Sequence, residues 1–390
     1  MDATGPDIRC LNVKYSPNLG DGLLSECLEA ALRKRGAGAG TRSVDLAGRG
    51  AYGDGMRGRG AILAGLDLLP AGLRGVAVRP ALAVQARRRW VPHYRAGLEG
   101  ADAVIVGGGN LLADLDLNFP TKIGLALREA GRRGLPVAIF GCGMGGGWSG
   151  EGLRRMRAGL RAVDLRSVAL RDAASAARWD AAFGAVTGVV ARVVRDPGLM
   201  AARTWNAPAR NPRRIGLGVM SHVAIRYHAT AAIDADALRS WYLDLARALT
   251  ARGVEVVAFT NGAPEDVAAA RALLPALTAM GVDVVTPDRP EGLARLVAGC
   301  GAIAAYRMHA VIAAHSYGVP ALALAWDDKL AAFMASVGRE DWLRDPARLG
   351  AEEAVGMLTD AAHRGLDDRA VAAVIDEAEA DVAQVLADLA

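Results

Sequence analysis

Apolar runs of strand length alternate with amphipathic stretches of helix length along almost the whole chain. In the first half the predicted strands are IRCLNVKY, SVDL, AVIVGG, PVAIFG and SVALRD. The predicted helices between them are GLLSECLEAALRKRG, TKIGLALREAGRRG and EGLRRMRAGLRAV. Strands that are apolar on both faces and separated by helices are typical of a parallel sheet with helices on both sides. The first half therefore predicts a doubly wound α/β domain.

The same alternation restarts in the second half of the chain. Its predicted strands are RRIGLGVMS, VEVVAFT, VDVVTP, AIAAY and ALALAW, and its predicted helices are DADALRSWYLDLARALTARG, PEDVAAARALLPALTAMG and EGLARLVAGC. Between the halves, residues 204–214 contain two prolines and no periodicity, which predicts a linker. We expect one Rossmann-like domain over 1–205, a second over 212–345, and C-terminal helices over 346–390 that pack on the body.

Two doubly wound α/β domains in tandem resemble the architecture of the B-type (GT-B) glycosyltransferases, in which a central cleft lies between two Rossmann-like domains. Open parallel sheets bind ligands beyond the carboxyl ends of their strands. The strand-end loops of both domains are therefore the places to look for a site. The glycine-rich segment 36–60 is expected to include a mobile loop.

Charge and composition narrow the classes of protein that fit this pattern. The formal charge is only +4, and the chain has four lysines, so arginine supplies nearly all of the positive charge. Abundant Ala, Gly and Arg indicate a GC-rich bacterial genome. We therefore interpret the basicity as codon usage and expect no nucleic-acid partner.

The cysteines and the apolar segments predict the compartment. Cys10, Cys27, Cys142 and Cys300 lie far apart, which favours a reducing cytoplasm and argues against a metal cluster. The first ten residues lack the pattern of a signal peptide, and the longest apolar stretch, 302–325, is broken by charge and proline. We expect a cytoplasmic protein; peripheral contact with the inner membrane face and a homo-oligomer are both compatible with the sequence.

Polar and glycine-rich loops follow several predicted strands of the first half. Three glycines at a strand end let a ligand lie against bare backbone, and a free helix start favours an anion. The alternative is a capped helix start or a tight turn with nothing bound. The candidate loop residues are Asn18, Gly20 and Asp21 after the first strand, Gly108, Gly109 and Asn110 after the third, and Gly143 and Met144 after the fourth.

Cationic residues follow strands at three places, two of them in the second half. Arg307 and His309 stand between a strand and a helix, a position suited to phosphate or carboxylate, and His309 is a candidate proton donor. Lys329 is notable in an arginine-rich chain, and Arg171 ends the fifth strand. The alternative for each is an ordinary surface or helix-start residue, and we interpret His315 as structural.

The stretch YRMHAVIAAHSYGVPALALAWDDK resembles the signature end of the polysaccharide pyruvyl transferase family. That family pairs an Arg-x-His at a helix start with a downstream Gly-x-Pro and an aromatic-x-x-Lys. PNLGDGLLSECLEAAL is similar to its N-terminal Asn-x-Gly-Asp loop, and ADAVIVGGGNLL, GCGMGG, ALRD and RDPGLM follow in the family's order. The resemblance spans about 8–340.

The resemblance implies transfer of a pyruvyl group from phosphoenolpyruvate onto hydroxyls of a sugar or glycan, usually as a cyclic ketal. Such reactions serve the synthesis of cell-surface or secreted polysaccharides. It implies that Arg307 binds the donor, that His309 is the acid, and that Arg171 and Lys329 lie near the same anion. We expect the donor on the second domain and the acceptor on the first; a lipid-linked glycan, a free oligosaccharide and a small-molecule glycoside all remain open as acceptors.

Chemistry that is independent of the resemblance fits these roles. Phosphoenolpyruvate carries two anionic groups, and an imidazolium is a suitable acid for its methylene carbon. Asp21 is a candidate to help deprotonate the attacking hydroxyl. We expect phosphoenolpyruvate as a co-substrate, no further cofactor and no metal.

The chain departs from the family pattern at two places. The GCGMGG loop lacks the usual glutamine, and GVMSHVAIR lacks the arginine that often follows the first strand of the second domain. His222 and Arg226 are the candidates to take the place of that arginine. A divergent member acting on a small-molecule acceptor therefore remains open.

Two further functions remain open. A GT-B glycosyltransferase using a nucleotide sugar would need an acidic ribose-binding residue, for which Glu265 and Asp266 are available. A carbohydrate- or anion-binding protein without activity would keep the same fold.

Overall fold

The computed structural model describes residues 5–54, 80–226 and 234–390, except for the side chains at 224 and 226. Contacts between residues divide the chain into two compact units. The first comprises Met1–Tyr15, Leu24–Pro197 and Ala378–Ala390, and the second comprises Ser16–Leu23 and Gly198–Glu377. The part of the predicted loop in 36–60 that follows residue 54 lies outside the described residues.

The first unit contains a parallel six-stranded sheet in the order β2-β1-β3-β4-β5-β6. Its strands are β1 (Ile8–Asn12), β2 (Arg42–Asp45), β3 (Ala103–Gly107), β4 (Pro136–Cys142), β5 (Asp164–Leu170) and β6 (Arg192–Val193). The central strands β1 and β3 are buried along their whole length, as their near-continuous apolar sequences predict.

Helices accompany this sheet. They are α1 (Leu19–Lys34), which begins in the second unit, α2 (Val91–Gly97), α3 (Asn118–Gly131), α4 (Gly150–Leu160), α5 (Ala173–Trp179) and α6 (Ala185–Thr187), with π-helical turns at Ala86–Trp90 and Asp180–Gly184. Asp172 caps α5, because its side chain accepts a hydrogen bond from the backbone N–H of Ser175 at 2.7 Å.

The second unit contains another parallel six-stranded sheet, in the order β12-β11-β10-β7-β8-β9. Its strands are β7 (Asn211–Gly218), β8 (Glu255–Phe259), β9 (Asp283–Val285), β10 (Cys300–Ala305), β11 (Ala321–Leu324) and β12 (Leu343–Arg344). The linker observed between the two sheets is therefore shorter than the predicted 204–214, since β7 already begins at Asn211.

The helices of this half complete the doubly wound pattern. They are α7 (Ala201–Thr204), α8 (His222–Arg226), α9 (Ala235–Thr250), α10 (Pro264–Ala279), α11 (Pro290–Ala298), α12 (Met308–Ser316), α13 (Asp328–Ser336), α14 (Ala351–Arg364) and α15 (Asp368–Leu389), with 3₁₀ turns at Pro197–Met200 and Glu340–Trp342. The sequence predicts the fold class correctly, and each unit is a parallel sheet with accompanying helices.

The units differ from the predicted domain limits, because the boundary between them falls at Pro197/Gly198 rather than between 205 and 212 and two further segments are assigned differently. Residues 16–23 belong with the second unit, where the backbone N–H of Leu19 donates to the carbonyl of Asn261 at 2.7 Å. The end of α15 belongs with the first unit, where Glu379 forms ion pairs with Lys34 and Arg35. Both assignments depend on contacts between residues that are far apart in the sequence, which periodicity does not reveal.

Candidate active site

The order of the strands in the second sheet reverses between β7 and β10. At such a reversal the loops at the carboxyl ends of the two strands leave a crevice, the usual ligand position in open α/β sheets. Here the two loops are residues 219–221, which precede His222, and residues 306–307, which precede α12. The fold therefore places His222 and Arg307 at the carboxyl ends of the two strands between which the order reverses.

Arg307 is held at the start of α12 by an acidic pair. Its Nε donates a hydrogen bond to Oδ2 of Asp266 at 2.8 Å, and its Nη2 donates to Oε1 of Glu265 at 3.4 Å. Asp266 is fully buried, and its Oδ1 accepts a hydrogen bond from the backbone N–H of Ser221 at 2.9 Å. Asp266 thus joins the loop after β7, the start of α10 and the start of α12.

Burial and ion pairing have opposite effects on the pKa values of Asp266 and Arg307. Burial raises the pKa of Asp266, and the guanidinium of Arg307 and the N–H of Ser221 oppose that rise. Burial alone would lower the pKa of Arg307, but the carboxylates of Asp266, Glu265 and Asp21 raise it above its usual value. Arg307 is therefore a permanent cation, and Asp21 lies near enough to act on it.

His309 lies against the start of α1, within the second unit. A Cβ added to Gly20 would stand 2.2 Å from Nδ1 of His309, far inside van der Waals contact. Only glycine at position 20 allows this approach of backbone and imidazole. His309 is buried, with 9% of its surface exposed.

The loop before α1 is shaped by Asn18. Its Oδ1 accepts a hydrogen bond from the backbone N–H of Gly20 at 3.2 Å, and its carbonyl accepts one from Asp21 at 3.1 Å. Asn18 is thus a structural cap at the helix start. The structure brings Gly20 against His309 and Asp21 near Arg307, all within the second unit, whereas the sequence assigned this loop to the first domain.

Lys329, His222 and His315 occupy different positions in the second unit. Nζ of Lys329 lies 3.4 Å from Oδ2 of Asp327, in the loop and helix that follow β11, and its side chain is 30% exposed. His222 is the half-buried first residue of α8, directly after Ser221. His315 is buried in the last turn of α12, edge-on to the ring of Phe333. The side chain of Arg226 lies outside the described ones.

The glycine-rich loops of the first unit meet at the carboxyl edge of its sheet. The backbone N–H of Gly143 donates to the carbonyl of Gly109 at 2.8 Å, and that of Gly108 donates to Phe140 at 3.1 Å. Gly108 and Gly109 have positive φ values of 83° and 67°. Asn110 follows them at the same strand end, so the two loops that the sequence singled out form one surface.

Arg171 packs against the second of these loops. A Cβ on Gly143 would stand 2.6 Å from its Nη2, and its side chain is only 6% exposed. The nearest carboxylate oxygens, of Asp172 and Asp196, lie 3.9 Å away. Neither Nη1 nor Nη2 of Arg171 donates a hydrogen bond within the part of the chain that the structure describes.

Met144 follows Gly143 in the same loop. It is buried, its N–H donates to Oγ of Ser175 at 2.8 Å, and its carbonyl accepts from Nη1 of Arg178 at 2.9 Å. Arg171 and Met144 therefore belong to the first unit, whereas Arg307 and Lys329 belong to the second.

The sequence does not reveal the role of Asp266. Its position left it open as a partner for a ribose, whereas in the structure the carboxylate is buried and is engaged by Arg307 and Ser221. A signal was present, because an acidic pair follows an Asn-Gly turn at the end of a strand that neighbours the β7 strand. Only the fold reveals that Asp266 and Arg307 meet.

Neither a metal site nor a membrane span emerges from the described residues. In residues 5–54, 80–226 and 234–390, no three His, Cys, Asp or Glu side chains are grouped so as to hold a metal ion. Within the same ranges no helix has the length and apolar character needed to cross a bilayer. The apolar stretch 302–325 instead forms β10, α12 and β11.

Solved structures with a similar backbone identify the class of fold. UDP-GlcNAc 2-epimerase from Neisseria meningitidis, bound to UDP-GlcNAc, matches with a TM-score of 0.53 at 11% identity, over 98% of each chain. A putative UDP-N-acetylglucosamine 2-epimerase from Listeria monocytogenes matches with a TM-score of 0.55 at 12% identity, over 99% of this chain and 96% of that one. The protein thus has two Rossmann-like domains of the GT-B type.

The family model for polysaccharide pyruvyl transferase matches residues 18–328, a span that includes the Asn18 loop, both glycine-rich loops and the start of α12. The chain belongs to the polysaccharide pyruvyl transferase family. Membership supports a transferase that modifies sugars. No curated protein matches the chain.

Proposed function

We propose that the protein transfers a pyruvyl group from phosphoenolpyruvate onto hydroxyls of a sugar or glycan and forms a pyruvate ketal. One observation carries the proposal: a permanent cation, Arg307, is fixed by Asp266 two residues from the buried His309, at the strand reversal of the second sheet. Arginine binds phosphate and carboxylate through parallel hydrogen bonds, and phosphoenolpyruvate offers both groups.

The side chains of the second unit supply the proposed steps. His309 protonates the methylene carbon of phosphoenolpyruvate, which leaves a cation-like centre at C2. An acceptor hydroxyl forms a bond to C2 and gives up its proton to Asp21. A second hydroxyl of the same acceptor then forms its bond to C2 as the bond from C2 to the phosphate oxygen breaks, and its proton leaves with the inorganic phosphate. Phosphoenolpyruvate is the co-substrate, and the reaction needs no other cofactor.

The remaining candidate residues have supporting roles in this proposal. Lys329 and His222 follow the ends of β11 and β7, and each supplies a hydrogen-bond donor for the phosphate or carboxylate of the donor substrate. The bare backbone around Gly108, Gly109 and Gly143 suits the hydroxyl-rich surface of an acceptor. Arg171 adds a buried cation to that surface.

The availability of acidic groups favours this proposal over a nucleotide-sugar glycosyltransferase. Asp266, a candidate partner for a ribose, is fully buried and already accepts two hydrogen bonds. Glu265 in turn contacts Arg307.

The test is a screen of the purified protein with phosphoenolpyruvate and candidate glycans. We expect release of inorganic phosphate and an acceptor mass gain equal to pyruvate less water. His309→Gln protein is the control for phosphate released by contaminants. Transfer of a sugar from a nucleotide sugar to the same acceptors, without use of phosphoenolpyruvate, would refute the proposal.

A further inference from the structure

Two carboxylates contact the guanidinium of Arg307, and they differ in how firmly they are fixed. Asp266 is fully buried, lies 2.8 Å from Nε, and is also tied to the N–H of Ser221. The side chain of Glu265 is 44% exposed and reaches Nη2 at 3.4 Å, near the limit of a hydrogen bond. Asp266 is therefore a fixed anchor, whereas Glu265 holds Arg307 by one long contact at the surface.

The position of Glu265 allows it to leave. It is the second residue of α10, directly after Pro264, and the preceding Ala263 provides no side-chain cap. The contact is long and Glu265 is the exposed partner, so it regains hydration when it separates from Nη2, while Arg307 keeps its pair with Asp266. Rotation of Glu265 into solvent would free Nη2 without disturbing Asp266.

The local charge favours such a displacement. With Asp266 and Glu265 both in contact, the single positive charge of Arg307 is more than balanced, and Asp21 adds a further negative charge nearby. A phosphate or carboxylate brought to Arg307 would meet this excess of negative charge. When Glu265 moves away, the repulsion between its carboxylate and the incoming anion is relieved, and Nη2 of Arg307 becomes free to donate a hydrogen bond to that anion.

We propose that Glu265 occupies the place on Arg307 that an anionic group of the donor takes, and that it sets donor affinity by competing for that place. The proposal rests on the proposed function in naming phosphoenolpyruvate as the anion. The competition itself applies to any phosphate or carboxylate that reaches Arg307. Glu265 is thus a specificity-determining residue that leaves when the donor binds.

The chain offers a closely matched control for Glu265. Glu291 is also the second residue of a helix, α11, and also follows a proline, Pro290. Its side chain is 45% exposed and its Oε1 lies 2.9 Å from Nη2 of Arg295. Glu291→Gln therefore removes the same charge from an equivalent position without touching Arg307.

The experiment measures binding of phosphoenolpyruvate and of inorganic phosphate by calorimetry at low ionic strength. Glu265→Gln should lower the Kd of both anions by roughly 2- to 5-fold, the strength of one exposed ion pair. Glu291→Gln should leave both values unchanged. Arg307→Lys added to Glu265→Gln should abolish the gain, which locates the effect at Arg307.

The possible results separate this inference from the proposed function. Unchanged or weaker binding of both anions by Glu265→Gln would overturn the competition and would make Glu265 a support for Arg307. Tighter binding of inorganic phosphate by Glu265→Gln, with no phosphoenolpyruvate bound by either protein, would uphold the competition and refute the proposed donor. If neither protein binds either anion, Arg307 is not an anion site and both proposals fail.

Discussion

Arg307 and His309 lie two positions apart at the start of one helix, yet their substitutions should impair the protein differently. His309→Gln should slow turnover by roughly 10²–10⁴ and leave donor affinity largely intact, because it removes only the proton donor. Steady-state kinetics and donor calorimetry on the same preparation provide both measurements. His315→Gln, in the same helix, should change stability more than rate. Turnover of His309→Gln at the wild-type rate would exclude His309 as the acid.

Arg307→Lys is the informative change at the neighbouring position. Arg307→Ala would leave the buried Asp266 without its partner, at a cost of about 3–5 kcal/mol, and would confuse folding with binding. Lysine keeps the charge but loses the planar fork. We expect a higher KM for phosphoenolpyruvate with a smaller change in kcat. An unchanged KM would show that Arg307 does not bind the donor.

Gly20 is the residue through which α1 is expected to control His309, the proposed acid. In Gly20→Ala the new methyl group must displace the His309 ring, since Nδ1 and Cβ of that histidine would lie 2.2 and 2.6 Å away. We expect turnover to fall because the His309 ring is displaced, while circular dichroism shows a folded protein. Gly356→Ala is the control, because Gly356 in α14 has open space around it. It should retain activity and gain about 0.5–1 kcal/mol of stability.

At the scale of elements, the end of α15 is held within the first unit by an ion-pair cluster. Burial tends to raise the pKa of Glu379, but Lys34 and Arg35 hold it below its usual value. Because the folded pKa lies below the unfolded one, the stabilisation is present above the unfolded pKa and is lost as the pH falls through the folded value. Glu379→Gln should therefore lower stability at neutral pH by about 1 kcal/mol or less, since Lys34 is well exposed.

Urea titrations at neutral pH and near pH 3 would test the role of Glu379. The difference between wild type and Glu379→Gln should shrink on acidification. A difference that stays constant over that range would mean that the loss comes from packing rather than charge.

The elements also mark the limit of what the sequence could predict. Long strands such as β3 and β4 were predictable because burial on both faces imposes an unbroken apolar run. The two-residue strands β6 and β12 carry no periodicity and were missed, as were α5 and α13. They depend on neighbours that are remote in sequence.

The candidate site also has features that the sequence indicates and contacts that it does not. Glycines and charges at predicted strand ends pointed to loops that the structure places at the carboxyl edges of the two sheets, because parallel strands bring their carboxyl ends to one edge. The Asp266–Arg307 pair and the contact of Gly20 with His309 depend on tertiary packing across 41 or more positions. No spacing in the sequence reveals either contact.

At the scale of the whole molecule, the fold permits several chemistries, and the chain's own residues must decide among them. The two epimerases compared above share only 11% and 12% identity with it, so the likeness shows the fold alone. Membership of the family supports the modification of a sugar. Arg307 and His309, at the strand reversal, are the reason for proposing an anionic donor. The change in thermal stability on addition of each candidate donor can distinguish phosphoenolpyruvate from a nucleotide sugar.

Phosphoenolpyruvate should raise the Tm of the protein, whereas UDP-GlcNAc should leave it unchanged. A ligand that binds only the native state stabilises it by mass action, by about 2.7 kcal/mol at one hundred times its Kd. Thermal melts at millimolar ligand provide the measurement. The shift should persist in His309→Gln, which keeps the donor site, and should shrink in Arg307→Lys. A shift with UDP-GlcNAc and none with phosphoenolpyruvate would instead favour a glycosyltransferase, and equal shifts in wild type and Arg307→Lys would place the anion elsewhere.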